Sequence, residues 1–105
     1  MLTLRQVEKI CETGVDITFS RKRVTRDLMG EYDPGTLEAV IYLANNPSEF
    51  ERDITLLHEM IHARDDMKAA RLLNGRCDDV EQEAKETYQK RPYVLQYIKE
   101  FYGIK

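Results

Sequence analysis

Apolar residues in TLRQVEKICETG (residues 3–14) fall at Leu4, Val7, Ile10 and Cys11, the spacing of a single helical face. Thr3 followed by Gln6 is a capping-box pattern and Gly14 is a natural stop, so a helix is predicted between them. The period then shortens. In VDITFS, Val15, Ile17 and Phe19 alternate with Asp16, Thr18 and Ser20, which predicts a half-buried strand. The basic segment running to Tyr32 predicts a second strand, and Asp33-Pro34-Gly35 a turn. TLEAVIYLA (36–44) alternates again, with Leu37, Ala39, Ile41 and Leu43 on one side.

Behind Pro47, Ser48 and Glu51 make a second capping box, so a helix starts here with Phe50, Ile54, Leu57 and Ile61 as its core stripe. Asn74-Gly75 breaks the helical region. CDDVEQEAKETYQKR predicts another helix, with Asp78 as N-cap and Cys77, Val80, Ala84 and Tyr88 as its apolar stripe. Pro92 opens a last helix in which Tyr93, Val94, Tyr97, Ile98 and Phe101 share a face. A helix, a small and mainly antiparallel sheet, then three helices make an α+β fold.

Length and charge narrow the reading. The 105 residues suit one domain, 1–105, and 42% hydrophobic content argues against wholesale disorder. A net charge of −3 gives no reason to expect nucleic acid as a partner, and RKRVTR (21–26) reads as a solvated basic surface. The N-terminal stretch is charged throughout, and LEAVIYLA is far too short to span a bilayer. A soluble, cytoplasmic protein with no membrane partner is expected. Cys11 and Cys77 fit that compartment as reduced thiols.

The chain's two histidines stand in HEMIH (58–62), within the helix predicted from Ser48. At about 100° per residue, His58 and His62 lie about 40° apart, beside the core stripe, and their rings can converge on one ion. Glu59 projects about 100° further round than His58. It can reach a water at that ion without being a ligand. Zinc takes neutral imidazole and carboxylate ligands and, where catalytic, keeps an open position. A neighbouring carboxylate then serves as general base.

Two histidines leave the site short of a ligand. With no third histidine, the missing donor is a carboxylate or a cysteine. Asp65 and Asp66 follow on the same helix, where three adjacent ligands leave little freedom to close a tetrahedron, so they read as surface residues or as partners of a histidine. On the downstream helix, Glu81 borders the apolar stripe, Glu83 falls on its far margin and Glu86 points away. Glu81 is the favoured ligand, Glu83 the runner-up and Cys77 the thiolate alternative. Glu81 has a competing use, since with Asp78 it completes another capping box.

His58-Glu59-Met60-Ile61-His62 with Glu81 on the next helix resembles the gluzincin metallopeptidases. EQEA (81–84) resembles the ExxA of integral-membrane metallopeptidases, and in size and layout the whole chain is similar to the soluble minigluzincins. That resemblance implies a zincin-like fold and one catalytic Zn2+ held by His58, His62 and Glu81. Glu59 would be the catalytic base, and a peptide or protein in extended conformation the substrate. It further implies that TLEAVIYLA is a sheet edge to which substrate adds as a strand. Tyr88 is a candidate to assist the oxyanion. One position departs from the pattern: Lys85 stands four residues after Glu81, where related families carry an acidic residue.

Minigluzincins are described as latent forms. The last helix, PYVLQYIKEFYGIK, has enough apolar surface to lie across an open cleft, in cis or by domain swapping in a self-associated dimer. The alternative of another class is a domain in which zinc is structural and nothing is hydrolysed.

Overall fold

The computed structural model describes residues 1–25, 28–67 and 77–104. Helix α1 (Leu4–Thr13) begins at the capping box anticipated for it, with the Gln6 amide donating to Thr3 Oγ1 at 3.1 Å and the Thr3 amide to Gln6 Oε1 at 3.0 Å. It ends at Gly14, whose φ of 96° is cheap only for glycine. Three strands follow: β1 (Asp16–Ser20), β2 (Gly30–Asp33) and β3 (Glu38–Tyr42). A 3₁₀ turn (Leu43–Asn45) leads into α2 (Glu49–Met67), which is succeeded by α3 (Cys77–Lys90) and α4 (Pro92–Tyr102). Ser48 and Glu51 cap α2 reciprocally, and Pro92 sits in the first turn of α4.

Strand order is β1-β3-β2, with β1 parallel and β2 antiparallel to β3. The sheet is therefore mixed, and β3 is its centre. Both observations correct the expected mainly antiparallel sheet with TLEAVIYLA at an edge. Asp33 Oδ1 accepts the Gly35 amide at 2.8 Å, closing a tight turn that folds β3 back on β2, while β3's other edge takes β1 from Asp16↔Glu38 to Ser20↔Tyr42. Ala39, Ile41 and Tyr42 are all buried, and the middle of the sheet is where a strand buries most. Alternation in the sequence shows which residues face the core and says nothing of which strands become neighbours.

Helix α2 packs on the buried face of the sheet and is covered on most sides, with Ile54, Leu56, Leu57, Met60, Ile61 and Ala63 in the core. Phe50, expected in the core stripe, is 50% exposed and lines a cleft instead. Val80 and Ala84 of α3 and Val94, Leu95 and Ile98 of α4 complete the core. Tyr93 and Phe101 lie outside it, a second departure from the expected stripe. Lys99 ties α4 to α2 through Asp53 at 2.9 Å and Glu49 at 3.1 Å. Cys11 is a buried free thiol. Arg26, the Asn74-Gly75 break and the side chains of Cys77 and Asp78 lie outside the described residues. Among the described residues no helix is long and apolar enough to cross a membrane.

Candidate metal centre

His58 and His62 lie one turn apart at the margin of the core, both partly buried. Their Nε2 atoms face each other at 3.0 Å, with ring centroids 4.7 Å apart and planes inclined at 62°. Two bare lone pairs at that distance repel, so the gap holds either a proton or a cation. The second ring nitrogen of His58 settles its tautomer. Nδ1 is 2.9 Å from Glu81 Oε1, and a carboxylate only accepts, so Nδ1 carries a proton, and in the neutral ring Nε2 is then the bare nitrogen. Burial, and then the neighbouring His58, push the His62 pKa below its ordinary value, keeping that ring in the neutral form that ligates metals.

The donor set fits zinc in part. Two imidazole nitrogens on a tetrahedral zinc stand about 3.3 Å apart, close to the separation found here. Among the described residues, however, no three acidic, cysteine or histidine side chains are gathered around one point. Glu81 touches the pair from outside, on His58 Nδ1, and its other carboxylate oxygen is 3.8 Å from Lys85 Nζ. Glu81 thus orients a histidine, as an outer partner of a metal ligand does.

Glu83 and Asp65 are engaged elsewhere. Glu83 forms a bidentate ion pair with Arg64, and Arg64 also holds Asp65 at 2.8 Å. Asp66 is exposed beside the buried hydroxyl of Tyr32, whose pKa is raised by burial and then by the charge of Asp66. Tyr88 packs edge-on against Phe50, with centroids 5.0 Å apart at 89°, rather than lining the cleft. The Cys77 side chain lies outside the described residues.

Glu59 is the anomalous group. It is 4% exposed, and no hydrogen bond reaches its carboxylate among the described residues. Burial, and then the charge of Glu31, push its pKa from 4.5 to about 8. Without a cation beside it this carboxyl is protonated at neutral pH. A divalent ion at the histidine pair would favour its ionised form.

A cleft of about 450 Å³ opens beside His58, lined by Met29, Gly30, Phe50, Ile54, His58, Glu59, Glu81 and Lys85 among others, with His62 outside its lining. No residue of α4 lines it, so within one chain the expected covering of the cleft by the C-terminal segment does not hold. The apolar residues of that segment are used in the core instead.

Sequence reasoning missed the wall opposite α2. Asn46, 1% exposed, donates through Nδ2 to the Met29 carbonyl at 2.9 Å and the Tyr42 carbonyl at 2.8 Å, and its Oδ1 accepts from Thr55 Oγ1 at 2.7 Å. One side chain thus ties β2, β3 and α2 together beside the site. In the sequence it is an asparagine in a polar loop, and only its partners reveal the role. Comparison with family models, curated proteins and solved structures found no match to this chain.

Proposed function

We propose that the chain is a zinc-dependent metalloendopeptidase in which His58, His62 and Glu81 hold the ion and Glu59 is the base. The observation that carries this reading is the pair of facing Nε2 atoms, 3.0 Å apart, beside a buried carboxylate in an open cleft. Bound zinc supplies a Lewis acid that polarises a carbonyl and makes water more acidic. Glu59, ionised next to the cation, takes a proton from the attacking water onto a carboxylate oxygen and delivers it to the leaving amine. Glu81, already in contact with His58, would be the carboxylate that completes the ligand set.

The substrate runs along β2, the edge next to α2 of the sheet that the described residues form, in place of the strand expected from the sequence. Tyr42 donates its amide to the Met29 carbonyl at 3.0 Å, so by antiparallel alternation Met29, Glu31 and Asp33 bond inward to β3. The main-chain groups of Gly30 and Tyr32 therefore face the open edge, where an extended peptide can pair with them. A cytoplasmic setting belongs to the same proposal, and the reduced Cys11 is in keeping with it.

The test is metal analysis together with peptide hydrolysis, on the wild type and on Glu59→Gln. One chelator-removable zinc per chain is expected in both, with hydrolysis in the wild type alone. A chain that binds no zinc, or a Glu59→Gln variant that still hydrolyses, overturns the reading. Zinc binding without any hydrolysis would favour a structural ion.

A further inference from the structure

Gly30 opens β2 with a main-chain conformation that any residue can adopt, since the positive φ angles among the chain's described glycines are at Gly14 and Gly103. The reason for glycine here is space. A Cβ at this position would lie 2.8 Å from the Val40 carbonyl oxygen, 2.9 Å from Thr55 Cγ2 and 3.0 Å from Glu59 Oε2. Thr55 and Glu59 are one turn apart on α2, so the bare α-carbon of Gly30 is where edge strand and helix meet.

These neighbours do not yield equally. The Val40 oxygen is main chain in the central strand. Thr55 is pinned by its 2.7 Å bond to the buried Asn46. Glu59 ends a longer, flexible side chain whose carboxylate makes no hydrogen bond among the described residues. Glu59 is therefore the most easily displaced of the three, while the tighter contacts with Val40 and Thr55 press the edge strand itself away from α2.

We propose that Gly30 is a positioning residue: it lets the edge strand rest directly on α2, and so seats the Glu59 carboxylate against the residue whose main chain faces the open edge. Resting on the peptidase reading, this means that the peptide bonded to Gly30 is presented at a set distance from Glu59. No side chain at position 30 preserves that distance. A misplacement of about 1 Å is enough to cost about a hundredfold in rate.

The experiment compares Gly30→Ala and Gly30→Ala/Thr55→Ser with the wild type. The second change removes one of the close contacts while keeping the hydroxyl bonded to Asn46, which protects the fold. Expected are one zinc per chain in both variants, KM within about threefold of the wild type, and kcat down by tenfold or more, about 1.4 kcal/mol of barrier. Crystal structures of the variants should show the Glu59 carboxylate moved off residue 30 with the histidine pair unmoved. A kcat within twofold of the wild type, an unmoved Glu59 with the strand or Thr55 displaced instead, or failure of both variants to fold would overturn the proposal. Should the wild type hydrolyse nothing, the peptidase reading falls, and the position of Glu59 in the variant crystals decides the role of Gly30 by itself.

Discussion

Replacing Glu59 by Gln in the metal-free chain should raise stability at neutral pH and remove most of the dependence of stability on pH. The carboxyl is 4% exposed, and burial, followed by Glu31, takes its pKa from 4.5 to about 8. In the unfolded chain it ionises near its ordinary value. Between the two pKa values the folded state keeps a proton that the unfolded state has released. The stability this group allows is therefore full below about pH 4.5 and declines as pH rises towards about 8. At about 1.4 kcal/mol per pH unit, the wild type should lose about 3 kcal/mol between pH 5 and pH 8. Gln does not titrate, so that loss should vanish from the variant. The His62 contribution has the opposite sign: its lowered pKa weakens the fold as pH falls. Both proteins share it, and the difference between their curves isolates Glu59. Urea unfolding followed by circular dichroism would read this as a midpoint difference of about 2 M at pH 8, with a slope of about 1.5 kcal/mol/M. Saturating zinc should flatten the wild-type curve, because a cation favours the ionised carboxylate. Parallel wild-type and variant curves without metal would refute the argument that Glu59 is held protonated by burial.

Three further outcomes test the fold around the site. Lys99→Met strands Asp53, only 7% exposed, without its cation, and should cost about 3 kcal/mol in denaturant unfolding at pH 7. Ser48→Ala removes the cap of α2 and should cost about 1 kcal/mol by the same measurement, with zinc binding by chelator competition unchanged. Truncation after Arg91 takes Val94, Leu95 and Ile98 out of the core; the cooperative thermal transition should disappear, and a folded, more active fragment would contradict the placing of α4.

What the sequence determined by itself was local. The Thr3–Gln6 and Ser48–Glu51 boxes form as read, since each joins groups within a single turn. His58 and His62 converge for the same reason, because helix geometry alone sets residues four apart side by side. The tertiary structure decided everything that depends on distant partners. It placed β3 between β1 and β2, left Phe50 at the mouth of a cleft, and used Glu83 on Arg64. It brought Glu81, 23 residues from His58, to the outer ring nitrogen, and set Gly30 against Glu59. Helical and strand periods record which side of an element is apolar, and hydrogen bonding within a turn needs nothing more. Which faces meet, and which polar groups are thereby cut off from water, is settled only when the elements pack.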